Sequence, residues 1–243
     1  MENHLAFLIP LVPALMAGLI LISQGVFKTF AGFLGTGAVL VSGVLGYDIF
    51  FRVLGQGAGG YHDEMSLTWF STGGIPVQFG LLIDGMTAVM LVVVTTVSFL
   101  VHVFSMGYMH GDPRYSRFYG FLNLFTASML SLVLANNFLL LFISWELVGL
   151  CSYLLIGFWF EKPSAANASK KAFITTKVAD CGLVLSLLAI FAFVGSFNFS
   201  DVQAALPHIP QGWAYALGFL VFMGAMGKSA QIPLHIWLPD AME

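Results

Sequence analysis

The chain has 243 residues, of which 58% are apolar and only 9% charged, with a net charge of -3 and a mean hydropathy of +0.90. An ordinary soluble domain carries about 25% charged residues, so this composition cannot cover a water-facing surface. Nine Lys/Arg against twelve Asp/Glu also exclude the basic balance of a nucleic-acid-binding protein, and no nucleic-acid partner is expected. An all-α polytopic membrane protein, with the lipid bilayer as its solvent, is the class that remains.

The N-terminus shows no basic segment followed by a cleavage site, and its apolar run, punctuated by Pro10 and Pro13, reads as a retained first span. A membrane helix needs about 20 mostly apolar residues. That length is met at 5–22, 29–51, 86–105, 118–134, 138–160, 172–197 and 213–230, giving about seven transmembrane helices. Glycines within spans, such as Gly32 and Gly46, predict close helix packing, and residues 57–60 read as plain loop. At about 61–83 the texture changes. Met65, Leu67 and Trp69 alternate with polar residues, Gly73 and Gly74 interrupt, and Val77 and Phe79 resume, the period-2 signature of a short surface β-hairpin between helices two and three. Asn136 and Asn137 alone separate spans four and five, which predicts a neighbouring antiparallel pair. Cys151 and Cys181 lie in apolar runs and read as packed thiols rather than a disulfide. The organisation expected is residues 1–111, holding helices one to three and the hairpin, followed by 112–243, holding helices four to seven and the start of an eighth.

Lys28, Arg114, Arg117, Lys162, Lys170 and Lys171 fall on one side of these spans and only Arg52 on the other. The excess of basic residues on cytoplasmic loops then places the N-terminus and the hairpin outside.

Charges within the spans carry the functional signal, because one Lys or Asp at mid-bilayer costs roughly 2.5–3.5 kcal/mol on insertion scales. Glu146 is nine residues past Asn137, about 14 Å along a helix. It has no opposite charge within a turn, so it must find a partner on another helix, carry water or stay protonated. Lys177 and Asp180 share a face at i, i+3 and read equally as an inert packing pair or as part of a transport path. Lys228 stands between Gly224, Gly227 and Pro233, a pattern that predicts a broken seventh helix whose freed backbone lines a polar cavity. His102 and His235 are weaker signals, since a lone histidine on an apolar face is more often a packing residue. Asp48 and Asp84 sit near span ends, where water reaches them. The histidines lack paired ligand spacing and no phosphate-type glycine loop follows a strand, so neither a metal nor a cofactor is expected.

Three runs carry a family resemblance: 118–129 (Phe-Tyr-Gly-Phe-Leu-Asn-Leu-Phe-Thr-Ala-Ser-Met), 145–159 (Trp-Glu-Leu-Val-Gly-Leu-Cys-Ser-Tyr-Leu-Leu-Ile-Gly-Phe-Trp) and 226–242 (Met-Gly-Lys-Ser-Ala-Gln-Ile-Pro-Leu-His-Ile-Trp-Leu-Pro-Asp-Ala-Met). They resemble the NuoL-type, antiporter-like membrane subunits of respiratory complex I (NADH:quinone oxidoreductase). These subunits are in turn similar to those of multi-subunit cation/proton antiporters. The resemblance implies a proton-translocating subunit in a bacterial plasma membrane, without a redox centre of its own, assembled with other complex I membrane subunits and driven by quinone reduction elsewhere. It further implies that Glu146 and Lys228 form the central pair of a half-channel, that Asp180 is the sixth-helix acidic residue, and that His235 passes the proton onward. An arginine is common in the family where this chain has Lys177, and a glycine where it has Ala179; the charge is kept but bidentate geometry is lost. Family members continue beyond the position of Glu243 through a second inverted repeat and a lateral helix, so the chain is expected to be an N-terminal portion, a split subunit or a truncated product. The alternatives are a subunit of a sodium/proton antiporter and a non-conducting structural fragment.

Overall fold

The computed structural model describes residues 3–23, 30–56, 61–72 and 75–242. Lys28, the loop 57–60 and the turn residues Gly73 and Gly74 lie outside the described residues. A 3-10 turn at Asn3–Phe7 leads into α1 (Leu8–Ile22) and α2 (Ala31–Gln56). Strands β1 (Asp63–Thr72) and β2 (Ile75–Ile83) follow, then α3 (Gly85–Tyr108), α4 (Tyr115–Leu134), α5 (Phe138–Ile156), α6 (Pro163–Val194), a short α7 (Phe199–Ala205) and α8 (Gln211–Lys228). Further 3-10 turns cover Leu206–His208, Leu234–Trp237 and Asp240–Met242.

The protein is mostly helical, and among the described residues six segments are long and apolar enough to cross a membrane: His4–Ile22, Ala31–Gln56, Gly85–Tyr108, Tyr115–Leu134, Phe138–Ile156 and Pro163–Val194. The helix expected as the seventh span, α8, falls outside that set, because its polar ends, Gln211 and Lys228, and its glycines dilute its apolar character. The hairpin forms within the range the alternation predicts, as a two-stranded sheet of β1 and β2.

Helix boundaries follow local chemistry. Asp84, expected to be wetted at a span end, is the N-cap of α3, its carboxylate accepting from the Thr87 amide at 2.8 Å, which satisfies one of the orphan N–H groups of the first turn. Asn137 does the same for α5, accepting from the Leu140 amide at 2.8 Å. The sixth helix starts nine residues earlier than hydropathy predicts. Pro163 sits in its first turn, where a missing N–H costs nothing, and the run after it is rich in Ala and Lys, good helix formers without an apolar signal. Gly195, at φ 74°, ends it in the left-handed conformation that glycine adopts without strain.

The chain divides into two compact units. One comprises Met1–Ser66 and Gly80–Ala135; the other comprises Leu67–Phe79 and Asn136–Glu243. In the first, α1 packs on α4 and α2 on α3, around a core that includes Ile9, Val53, Leu81, Ile83, Leu91, Leu130 and Leu134. The base of the hairpin belongs to this core, and Leu81 forms a bridge to Ala135 at the end of α4. Large apolar side chains such as Leu15, Phe33 and Phe104 point outward, as a lipid-facing surface requires.

In the second unit, α6 packs against α5 and α8. The Asn137 side-chain amide donates to the Gln78 carbonyl in β2 at 3.1 Å, and the Phe138 backbone amide donates to the Phe197 carbonyl at 2.9 Å. These bonds fix the start of α5 beside the α6–α7 connection. Within its own unit α4 takes α1 as its main partner and α5 takes α6, and the boundary between the units falls at Asn136. Cys151 is buried, but Cys181 is exposed, contrary to the packed position its apolar run predicts: position 181 lies on the outward stripe of α6, one residue past the inward Asp180.

Candidate functional site

The site is built on α5, α6 and α8, all within the second unit, and small residues decide its geometry. α8 runs antiparallel to α6 at close range. The Ser186 hydroxyl donates to the Leu217 carbonyl at 3.2 Å, a Cβ on Gly182 would lie 2.9 Å from the Leu220 carbonyl oxygen, and one on Gly224 would lie 3.1 Å from the Leu183 Cβ. A Cβ on Gly227 would overlap the Ala179 side chain. Glycine and alanine therefore let the α8 backbone approach α6, and the last turn of α8 arrives beside Asp180.

α8 stops at Lys228. The Ser229 amide bonds the Ala225 carbonyl at 2.9 Å, the Gln231 amide bonds the Met226 carbonyl at 3.0 Å, and the Trp237 indole donates to the Gly227 carbonyl at 3.0 Å. These caps satisfy carbonyls that a helix end leaves open. The break expected around Lys228 lies just after it, with Ala230 at φ 50° and the chain resuming as the turn Leu234–Trp237. As the terminal residue of a helix, Lys228 places its cation at the negative end of the helix dipole.

From there the ammonium reaches α5. Lys228 Nζ donates to the Trp145 carbonyl at 2.9 Å and stands 5.6 Å from the centroid of the Trp145 ring. Gly149, one turn further along α5, leaves the space it occupies, since a Cβ there would overlap Lys228 Nζ. The Trp145 indole N–H turns the other way and donates to Asp180 Oδ1 at 2.7 Å. Trp145 thus touches both the cation and the anion, through its carbonyl and its ring nitrogen.

Asp180 is the most deeply placed of the charges, its side chain 3% exposed. Burying an unpaired carboxylate costs several kcal/mol. Here the indole donor and the field of two ammonium groups, Lys228 and Lys177, offset that cost. Its second oxygen, Oδ2, is buried without a hydrogen bond among the described residues, and Lys177 Nζ lies 3.8 Å away. Lys177 is committed elsewhere. It forms a direct ion pair with Glu146 on α5 and lies 5.2 Å from the Phe173 ring centroid. The pair borders an open groove of about 410 Å³ lined by Phe142, Ile143, Leu147, Leu150 and Phe173, and both side chains keep about 30% exposure (Lys177 31%, Glu146 27%).

The structure therefore brings together four of the five residues singled out from sequence. Glu146 finds its partner on another helix, and that partner is Lys177. Glu146 and Lys228 form no ion pair with each other among the described residues; Trp145, Asp180 and Lys177 stand in the sequence of contacts from one to the other. His235 is exposed on the turn after the break, and no hydrogen bond or ion pair joins it to the other four among the described residues. An ion pair at 2.7 Å between Lys171 and Asp240 holds this turn region to α6. Sequence reasoning missed Trp145 and Gly149, and read Gly227 only as part of the helix break. A tryptophan directly before a mid-span glutamate was a signal for the first, because a buried indole N–H needs an acceptor; nothing in the sequence marks which glycines face a lysine.

Residues 135–243 match the family described as NADH:quinone oxidoreductase/Mrp antiporter, TM, and residues 69–119 match the one described as NADH-ubiquinone oxidoreductase (complex I), chain 5 N-terminus. The chain is 45% identical over 209 residues to NADH-quinone oxidoreductase subunit L of Mycobacterium tuberculosis, covering 86% of this chain and 32% of that protein. It is 43% identical over 249 residues to subunit L of Neisseria meningitidis, covering 97% of this chain and 36% of that one. Among solved structures, a chain of the Mrp complex from Dietzia sp. DQ12-45-1b superposes with a TM-score of 0.82 at 25% identity, over 98% of this chain and 25% of that chain. The chain thus spans about a third of the length of these curated relatives.

Proposed function

Because the chain belongs to the family of antiporter-like membrane subunits common to NADH:quinone oxidoreductase and Mrp antiporters, we propose that it is part of a proton-translocating subunit of complex I. In this reading it has no redox centre of its own, and quinone reduction elsewhere in the assembly drives it. One observation carries the reading: opposite charges alternate from Glu146 to Lys177 to Asp180 to Lys228 across three packed helices, with a buried carboxylate oxygen left open at Asp180. Such a row is costly in lipid, and its charges cancel in pairs, so moving one proton along it shifts the pairing without leaving an isolated charge. A proton entering at the half-exposed Glu146 releases Lys177 toward Asp180, whose open oxygen accepts it. That weakens the hold of Asp180 on Lys228, which then discharges past the break. His235 takes the proton onward from there, on its exposed turn.

Supporting details extend the proposal to topology. α8 serves as a seventh crossing at about 27 Å for its 18 residues, and residues 112–243 form the first part of an antiporter-like repeat after the helices of 1–111. The basic residues on one side support an N-terminus outside a bacterial plasma membrane, with other complex I membrane subunits as neighbours. The test is Glu146→Gln in the full-length assembly, which keeps shape and removes the titrating group. Quinone-linked proton translocation should be lost, and translocation at the wild-type rate refutes the assignment. The fold match to the Mrp complex favours one second reading, a sodium/proton antiporter subunit. Sodium-dependent pH change in vesicles, insensitive to NADH and quinone, would select it.

A further inference from the structure

The first unit contains a buried polar layer that the charge row does not use. His102 on α3 and Asn123 on α4 are both 0% exposed, and between them lies Tyr119, also 0% exposed. The Tyr119 hydroxyl donates to the His102 carbonyl at 2.8 Å, the two rings lie 5.9 Å apart, and the Asn123 amide donates to the Tyr119 carbonyl at 2.9 Å. His102 Nδ1 lies 2.8 Å from the Ser98 carbonyl. A carbonyl only accepts, so Nδ1 carries the hydrogen, and Nε2 of the neutral ring is left as an acceptor.

Neither His102 Nε2 nor Asn123 Oδ1 has a hydrogen-bond partner among the described residues. The Ser98 and Thr126 hydroxyls are occupied: they lie 2.5 Å apart, and Thr126 donates to the Leu122 carbonyl at 3.0 Å, while Thr36 Oγ1 on α2, beside the Gly35 that faces Asn123, is a further buried atom without a hydrogen bond among the described residues. Two acceptors within one turn of the same tyrosine call for a donor. A cation does not fit, because α1, α3 and α4 contain no carboxylate, and the single one of α2, Asp48, is exposed and paired with Arg52. Zero exposure also rules out a side chain from a neighbouring subunit. We propose that the layer binds ordered water, which donates to His102 Nε2 and, directly or through one further water, to Asn123 Oδ1. Water is small and neutral, and buried waters characteristically bridge such groups.

X-ray radiolytic labelling of the full-length assembly, read by mass spectrometry, tests this, since bound water generates hydroxyl radicals beside the residues it touches. His102 and Tyr119 should be modified at doses that leave Met109 unmodified; Met109 is 1% exposed in the same unit and reports radicals leaking from bulk solvent. His102 and Tyr119 as unreactive as Met109 in the wild type would overturn the proposal. Asn123→Leu should remove most of the His102 labelling, and unchanged labelling in that variant would overturn the bridge to Asn123.

Discussion

Gly149→Ala separates the geometry of the charge row from the stability of the helix that carries it. A Cβ at this position would occupy the place of Lys228 Nζ, and the atom displaced is the far end of a flexible side chain, so the lysine moves and the backbone stays. On stability alone, replacing a mid-helix glycine by alanine gains roughly 0.5–1 kcal/mol, while losing the charged hydrogen bond to the Trp145 carbonyl costs about 1.5–3 kcal/mol. The net loss of about 0.5–2.5 kcal/mol leaves a chain that inserts and assembles. The lost contact, however, lowers the population of the arrangement with Lys228 on Trp145 by roughly 10- to 100-fold. Proton translocation per quinone reduced, measured in proteoliposomes of the full-length assembly, should fall at least several-fold while the amount of assembled complex stays near wild type. Gly218→Ala is the control: it lies on α8 with open space at its Cβ position, and it should leave translocation unchanged. Wild-type coupling in Gly149→Ala would show that the seat of Lys228 between Trp145 and Gly149 is not needed, and would refute the relay as drawn.

Three further outcomes follow from the same contacts. Trp145→Phe keeps an aromatic ring but removes the donor to Asp180 Oδ1, leaving a buried carboxylate short of a partner; stability in lipid nanodiscs should drop by about 1–3 kcal/mol, and an unchanged unfolding transition would show that the indole bond contributes nothing. Lys177→Met leaves Glu146 half-buried and unpaired, whereas Lys177→Met with Glu146→Gln removes both charges, so the double variant should be more stable than Lys177→Met alone; strict additivity in this thermal-unfolding cycle would mean the ion pair is not coupled. Asn137→Ala removes the cap of α5 and its bond to Gln78, with an expected loss of about 1 kcal/mol, or roughly 2–4 °C in Tm. No shift there would place the anchoring of α5 elsewhere.

The sequence by itself determined the environment, the helices and the suspects. Apolar runs of bilayer length are legible because lipid leaves the backbone no other partner than itself. Charges within them are legible because each is expensive there, so Glu146, Lys177, Asp180 and Lys228 stood out without any fold. The hairpin was legible from its alternation. Ends were read less well: the start of α6 at Pro163 lies in a run where helix propensity, not hydropathy, decides, and Asp84 and Asn137 act as caps that look like ordinary polar residues at span ends. Only the tertiary structure decided who touches whom. That Glu146 pairs with Lys177, that Trp145 serves Asp180 by its ring and Lys228 by its carbonyl, and that α4 packs on α1 all depend on which faces meet. In the charge row those choices are set by glycine and alanine contacts between α6 and α8, Gly182 against Leu220, Gly224 against Leu183 and Gly227 against Ala179, where the absence of a side chain, invisible to periodicity, fixes the distance between helices.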